Sequence, residues 1–186
     1  MEPVESWFAV HVKSRQEKMV DTSLRGKGYE TFLPLYHDNR IWGKRRAEVE
    51  LPLFPGYVFV QLDFQRRLPI LQTAGVVQLV CNGHLPAPVD SKELAAIRAI
   101  SSSGFPVAPW PFLEAGQRVR VEDGSLRGVE GVLLQVKNRD RIVVSLSLLQ
   151  RAVSVELDRA AITPIAAPRS QPASERGDAA MLRKLA

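Results

Sequence analysis

An aromatic run in the first third of the chain has residue types suited to binding another protein. Residues 53–60 read Leu-Phe-Pro-Gly-Tyr-Val-Phe-Val, which brings Phe54, Tyr57 and Phe59 close together. Pro55-Gly56 indicates a turn or bulge, and the residues after it favour a strand. Aromatic side chains beside such an irregularity can point out of a sheet and anchor a partner. The alternative is an ordinary core strand, and the run taken alone favours that alternative.

The residue types that most often carry catalysis or bind metals show no useful spacing. His11, His37 and His84 are scattered, and the chain has no metal-ligand spacing, nucleophile elbow or phosphate-binding loop. The single cysteine, Cys81, cannot form an internal disulfide and follows an apolar run, so we expect it to be a buried small hydrophobic residue. We therefore expect neither an enzyme nor a metal or cofactor site.

Composition indicates a soluble globular protein. The 186 residues allow one large domain or two small ones, and 45% are hydrophobic against 24% charged. No apolar run approaches the roughly 20 residues that span a bilayer, and the short acidic N-terminus has no signal-peptide pattern. These features favour a cytoplasmic protein. The net charge of +5 is compatible with proximity to nucleic acid but does not require it.

The first hundred residues mix strand and helix patterns, which predicts an α+β fold with a small, mainly antiparallel sheet. Ser14 and Glu17 have the spacing of a capping box that opens a helix ending near Arg25. Asp90 begins another helix in the same way. The remaining predicted elements are strands over 7–12, 29–36 (interrupted by Pro34), 48–62 and 76–80, a basic turn over 41–46 and a short helix over 66–73.

After this half, the pattern changes at a Ser- and Pro-rich segment that we interpret as a flexible linker. Short alternating strands with Gly-containing turns follow, and they predict a small β-barrel. The predicted strands cover 118–121, 129–136, 142–148 and 153–157. The last residues are small and polar, which predicts a disordered tail. The predicted division is therefore an N-terminal domain over 1–100, a linker over 101–112, a barrel over 113–165 and a tail over 166–186.

Two motifs in this order resemble the NusG family of transcription elongation factors. The first runs from Trp7-Phe8-Ala9-Val10 to the aromatic run ending at Val60. The second is the KOW module, which includes Gly116-Gln117-Arg118-Val119 and Gly128-Val129-Glu130-Gly131-Val132. The resemblance covers nearly everything from Trp7 to Ile165. It implies an N-terminal NusG-type domain, an antiparallel sheet flanked by helices, joined by a flexible linker to a small KOW-type β-barrel.

The resemblance also implies a mechanism without covalent chemistry. The N-terminal domain would bind the clamp helices of RNA polymerase and favour the closed, active form, which suppresses pausing. The KOW domain would recruit a second partner, either the termination factor Rho or a ribosomal small-subunit protein. We expect a monomer with no cofactor and no membrane association. The residues that match the family's polymerase contacts are Phe54, Tyr57, Phe59 and Leu79, with plain core packing as the alternative for each.

The tip of the predicted barrel departs from the housekeeping members. Where they carry Ile-Phe-Gly-Arg, this chain has Leu148-Leu149-Gln150-Arg151. Leu149 thus replaces an aromatic anchor, and Gln150 replaces a glycine that adopts positive φ freely. Leu148, Leu149 and Arg151 are the predicted partner-binding residues, and the departure predicts weaker binding to Rho.

Segments 13–18 and 50–55 resemble specialised paralogues, namely RfaH and the polysaccharide-operon antiterminators. That group reads exposed DNA, so we expect a basic face to contact the non-template DNA strand or nascent RNA. For any single residue a solvated cationic surface is the alternative. We do not expect the helical hairpin that the RfaH C-terminal domain adopts, because the strands here are rich in β-branched residues. The predicted nucleic-acid-binding residues are Lys13, Arg15, Lys44, Arg45, Arg46, Arg66 and Arg67.

Two other functions stay open at this point. One is a general NusG that supports Rho-dependent termination. The other is a ribosome-associated KOW RNA-binding protein, which the Phe-Pro-Gly-Tyr motif disfavours because ribosomal proteins with a KOW module lack that domain.

Overall fold

The strands of the chain form two main antiparallel sheets. The computed structural model describes residues 5–42, 45–111, 116–136, 139–158 and 161–165. The elements of the first half are β1 Ser6–Val12, α1 Glu17–Gly26, β2 Glu30–Phe32, β3 Leu35–Trp42, β4 Arg45–Pro52, β5 Tyr57–Leu62, α2 Leu68–Leu71, β6 Val76–Leu79, β7 Cys81–Asn82, β8 Leu85–Pro86 and α3 Ser91–Ser101. Those of the second half are β9 Val107–Pro111, β10 Gln117–Val121, β11 Glu130–Val136, β12 Arg139–Leu146, β13 Arg151–Glu156 and β14 Ile162–Pro164.

The two sheets have different strand orders. The N-terminal sheet has four strands in the order β2-β5-β1-β6, and the C-terminal sheet has six in the order β14-β10-β11-β12-β13-β9. β3 pairs with β4, and β7 pairs with β8, in separate two-stranded ribbons. The predicted α+β fold and the β-structure of the second half are thus confirmed, whereas closure of the C-terminal sheet into a KOW-type barrel stays a prediction.

The N-terminal sheet is covered on both faces. Residues of β1 alternate between the faces, as a pleated strand requires. Val10 is fully buried on one face, in a core that also contains Val20 and Leu24 of α1. Ala9 is fully buried on the other face, in a core that also contains Ile97 of α3. The sheet therefore lies between α1 and α3.

The core on the α3 side continues into the C-terminal sheet. Phe59 and Ile97 of the first half belong to one cluster of buried residues with Val119, Leu126 and Ile142 of the second half. The two halves therefore pack together across α3.

The segment predicted as a linker is only partly a connection. Residues 107–111 form β9, which pairs with β13 from Val107 opposite Val155 to Pro111 opposite Arg151. β9 contains two prolines, which it tolerates because it is the edge strand of its sheet. Proline has no backbone N–H, and on the outer side of an edge strand no neighbouring strand needs that donor. The irregular connection between α3 and β9 is therefore short.

The single strand predicted over 48–62 is wrong. β4 ends at Pro52 and pairs with β3, whereas β5 begins at Tyr57 and belongs to the N-terminal sheet. Between them Gly56 has φ of 85°, a left-handed conformation in which a side chain would be strained. The predicted turn at Pro55-Gly56 therefore redirects the chain from one sheet to the other.

The predicted capping box is also wrong. α1 begins at Glu17, and its N-cap residue Gln16 makes no side-chain capping bond. The Glu17 side chain is instead buried, and its Oε1 accepts a hydrogen bond of 2.8 Å from the backbone N–H of Gly56. The carbonyl of Gly56 accepts from the N–H of Val12 at 2.8 Å. Glu17 thus fastens the start of α1 to the turn before β5.

Several local predictions have clear outcomes. The Asp90 cap is confirmed, because its Oδ1 accepts from the backbone N–H groups of Lys92 and Glu93 at 2.8 and 3.1 Å. The prediction that Cys81 is buried is wrong, since β7 belongs to a short exposed ribbon. The predicted break at Pro34 separates β2 from β3. The predicted tail over 166–186 lies outside the described residues.

We predict that Glu17→Ala lowers the free energy of unfolding by about 1–3 kcal/mol, because it leaves the Gly56 N–H without its acceptor. Urea unfolding monitored by circular dichroism measures the change. Glu17→Gln keeps an acceptor oxygen and should lose less, and Lys18→Ala removes only an exposed ion pair with Glu50. Equal losses in Glu17→Ala and Lys18→Ala would contradict the role given to this bond.

Candidate functional site

An aromatic face lies on the α3 side of the N-terminal sheet. The register places His11 opposite Tyr57. It also places Phe59 opposite Ala9 on one side and Phe32 on the other. Ring centroids are 5.4 Å apart for His11 and Tyr57, and 6.0 Å apart for Phe32 and Phe59. We call Trp7, Phe32, Tyr57 and Phe59, with His11, the aromatic face.

The predicted polymerase contacts differ in accessibility and position. Phe54 and Phe59 are 1% and 0% exposed and meet edge to face, with centroids 5.7 Å apart. Leu79 is also buried, but in the other core, with Val10. Tyr57 is partly exposed. The structure thus brings Phe54, Tyr57 and Phe59 together, places Leu79 elsewhere, and leaves Tyr57 as the accessible member of the set.

Sequence reasoning missed Arg98, which lies over the aromatic face. Its guanidinium carbon is 4.6 Å from the ring centroid of Trp7 and 5.1 Å from that of Phe32. Its Nη2 lies 3.8 Å from Oε1 of Glu30. A signal for this placement was present, because Arg98 follows the apolar Leu94 by four positions, which puts both on one side of a helix.

The predicted nucleic-acid-binding residues fall into three groups. Lys13, Arg15 and Arg66 are exposed. Arg67 is half-buried, with its guanidinium carbon 4.3 Å from the Phe64 ring centroid and its Nη1 donating to the Phe64 carbonyl at 3.2 Å. Lys44 lies outside the described residues, and only the backbone of Arg45 and Arg46 is described, as the start of β4.

At the predicted partner-binding tip, most of the apolar surface is already packed. Leu149 is buried, Leu148 is half-buried against the core shared by both halves, and Arg151 is exposed. Gln150 has φ of 50° and ψ of 44°, in the left-handed region. Its Nε2 donates to the carbonyl of Ser147 at 2.9 Å.

A carboxylate of α3 holds this tip. Oε1 of Glu93 accepts from the Ser147 hydroxyl at 2.6 Å, and Oε2 accepts from the Ser147 N–H at 3.0 Å. Ser147 begins the short helical turn that carries Leu148 and Leu149. The position of the tip is therefore coupled to α3.

A cleft of about 760 Å³ opens beside this contact, between α3 and the C-terminal sheet. Its charged lining includes Lys92 of α3 and Arg118 and Glu130 of the sheet. A hydrogen bond from Arg120 lowers the pKa of the Glu130 carboxyl below its ordinary value. Partial burial opposes this shift, while the charges of Arg120, Arg118 and Lys92 add to it.

Among the residues that the structure describes, no group of three or more His, Cys, Asp or Glu side chains is placed to hold a metal ion. In the same part of the chain, no helix is long and apolar enough to cross a membrane.

Comparison with known proteins gives the family. The family model described as "Transcription termination factor nusG" matches residues 5–98. The transcription termination/antitermination protein NusG of Escherichia coli K12 is 32% identical over 170 residues, covering 84% of this chain and 94% of the relative. That of Deinococcus radiodurans is 29% identical over 184 residues, covering 82% and 95%. This chain therefore belongs to the NusG family of transcription termination and antitermination factors.

A solved structure supports the fold. A structure concerning domain interaction in Thermotoga maritima NusG matches with a TM-score of 0.55 at 20% identity, covering 87% of this chain and 98% of that one. The arrangement of sheets and helices is therefore of the NusG type.

We predict that Glu93→Ala loosens the tip, because it removes both hydrogen bonds to Ser147. Amide hydrogen exchange of Ser147, followed by NMR, should be about 10-fold faster, as expected for loss of a charged hydrogen-bond partner. Lys92→Ala, one position earlier on α3, should leave this rate unchanged. An unaltered Ser147 rate in Glu93→Ala would contradict the contact.

We also predict a pH-dependent contribution from Glu130. Because its pKa is lower in the folded protein than the ordinary 4.5, its pairing stabilises the fold above that value and is lost as the pH falls through the folded pKa. Glu130→Gln should therefore reduce the free energy of unfolding at about pH 7, and this deficit should shrink as the pH falls below 4.5. Denaturant unfolding over a series of pH values from 7 downwards measures this, with exposed Glu122→Gln as the control. A Glu130→Gln deficit that stays constant over the whole series would contradict the assignment.

Proposed function

We propose that this chain is a transcription elongation and antitermination factor that binds the clamp helices of RNA polymerase through its aromatic face. It suppresses pausing or termination by favouring the closed polymerase, and it recruits a second partner through the C-terminal sheet. This mechanism needs binding energy alone and no catalytic residue. Such a factor acts in the cytoplasm, where the polymerase is bound to the nucleoid.

The observation that carries the proposal is the setting of Tyr57. The side chain is partly exposed, lies beside His11, and begins β5 directly after the turn at Gly56. The Tyr57 N–H donates to the Phe54 carbonyl at 3.1 Å, which fixes the backbone at this point. A rigid aromatic residue that remains accessible loses little entropy when it anchors a partner. Phe54 and Phe59 then support the anchor from the core.

For nucleic acid, we propose that Lys13, Arg15 and Arg66 contact the non-template DNA strand or nascent RNA. Their side chains are exposed, as a phosphate-binding group requires. The Arg67 guanidinium lies against Phe64 and serves mainly to hold that loop.

We propose that the C-terminal sheet is a KOW module whose tip binds Rho or a ribosomal small-subunit protein. Arg151 is the exposed residue of the predicted set, so it provides the first contact. A partner that uses Leu149 must replace the packing that buries it. Because the tip lacks an aromatic anchor, the proposal favours a specialised antiterminator over a general NusG that depends on Rho.

The proposal is tested by binding the full chain to RNA polymerase core enzyme. Tyr57→Ala should weaken binding by about 10-fold or more, the size of effect seen when an anchor residue is truncated. Biolayer interferometry measures the affinity, and pause duration on a defined template measures the activity. Unchanged affinity in a folded Tyr57→Ala protein would refute the docking surface.

Arg66→Glu provides the matched comparison. This exposed residue lies on the loop after β5, and its charge should matter for DNA and not for the polymerase. Arg66→Glu should therefore retain polymerase binding and reduce crosslinking to the non-template strand in a paused complex. Equal loss of both in Arg66→Glu would contradict the division of roles.

A further inference from the structure

Arg98 forms a charged group at the opposite end of the aromatic face from Tyr57. Gln61 of β5 pairs with Trp7 of β1 on one side and with Glu30 of β2 on the other. The Arg98 guanidinium lies over the Trp7 ring of this three-residue row. The rings of Trp7 and Phe32 support one guanidinium, which restricts its orientation before any partner arrives.

The guanidinium is available to a partner. The Arg98 side chain is 44% exposed, and it borders an open groove of about 410 Å³ between Trp7, Leu94 and Ser102. Glu30, at 3.8 Å, is an ion pair beyond hydrogen-bonding distance and is itself 62% exposed. Within the described residues, no group accepts a hydrogen bond from Arg98, so its fork of N–H donors is free to bind a planar anion.

From these observations, we propose that Arg98 binds a carboxylate of the protein that docks on the aromatic face, and so determines specificity at that surface. This inference rests on the proposed function, because it takes RNA polymerase as the docking protein. A carboxylate can accept two parallel hydrogen bonds from a guanidinium. The Trp7 and Phe32 rings cover a face of the Arg98 guanidinium, so its N–H edge stays open to such a carboxylate.

The surroundings favour a carboxylate over a nucleic-acid phosphate. A protein surface that binds a nucleic-acid backbone presents several cationic side chains in a row. Arg98 is the sole charged residue among the described residues that line this groove. Glu30, the ion-pair partner of Arg98, would repel a polyanion more strongly than a single carboxylate. A single acidic side chain on an otherwise apolar partner surface fits a single cation with apolar walls.

The distance to the anchor sets the size of the partner surface. Trp7 and His11 are four residues apart on β1, so the Arg98 end and the Tyr57 end are about 13 Å apart along the strand. One protein interface extends far enough to reach both. Arg98 and Tyr57 therefore act as two points of one contact, one ionic and one aromatic.

The experiment measures binding of the full chain to RNA polymerase core enzyme over a series of salt concentrations. Arg98→Met keeps an unbranched side chain over Trp7 and removes the charge. It should weaken binding by about 10-fold at low salt and reduce the salt dependence of the affinity. Arg98→Lys keeps the charge without the planar fork and should fall between Arg98→Met and the unaltered chain.

The control is Arg25→Met. Arg25 is also an exposed helical arginine with one carboxylate partner, Asp21 at 3.2 Å, but it lies on α1 on the other face of the sheet. Arg25→Met makes the same change in net charge as Arg98→Met and should leave polymerase binding unchanged. Unfolding by urea establishes that each variant is folded.

The outcomes separate the two proposals. If the unaltered chain binds polymerase and Arg98→Met binds equally well with the same salt dependence, the carboxylate site is refuted while the proposed function stands. If the unaltered chain does not bind polymerase, the proposed function itself fails. If Arg98→Met loses affinity for a single-stranded DNA oligonucleotide and not for polymerase, the ligand is phosphate and the carboxylate assignment is overturned.

Discussion

Burial of α3 between two sheets is the constraint on which the rest of the arrangement depends. Leu94, Ile97 and Ile100 are 3%, 0% and 0% exposed and belong to a core that contains residues of both sheets. Ala96 and Ala99 line the cleft towards the C-terminal sheet. An amphipathic helix is held by the core that buries its apolar stripe, and here that core joins the two sheets. The aromatic face, the tip and Arg98 all take their positions from it.

Features that depend on local sequence were predictable. The strand over 7–12, the Asp90 cap of α3 and the turn at Pro55-Gly56 are each encoded within a few residues, by residue type or by a conformational preference. The aromatic character of the candidate site could be found for the same reason. What could not be found was which of the aromatic residues remain accessible, because that depends on packing between residues far apart in the chain.

Two of the errors share that cause. Glu17 has a capping-box spacing, yet its carboxylate meets Gly56, 39 positions away, because the fold brings the turn to the helix start. Residues 107–111 have linker composition, yet they pair with β13 at a free sheet edge that composition does not reveal. Cys81 follows an apolar run, but β6 ends with Leu79, and Cys81 enters an exposed local hairpin in which it pairs with Pro86. Long-range contacts decided the first two cases and local pairing the third.

Core packing and binding are not exclusive roles on the aromatic face. Phe59 is fully buried and holds Phe54 at its edge and Phe32 at its side, which makes it a structural residue. Tyr57, two positions away, faces the same side of the sheet and is partly exposed. Under the proposed function, one strand thus carries both the buried support and the exposed anchor. On the same proposal, truncation of Phe59 would impair binding through loss of packing, and truncation of Tyr57 through loss of contact.

At the tip, a residue other than glycine adopts a left-handed backbone conformation. Gln150 occupies a left-handed conformation that costs a non-glycine residue roughly 1–2 kcal/mol. Its side chain returns a hydrogen bond to the Ser147 carbonyl, which offsets part of that cost. Ser147 is in turn held by Glu93. The turn therefore holds a non-glycine residue in a left-handed conformation, and the neighbouring Leu149 is buried.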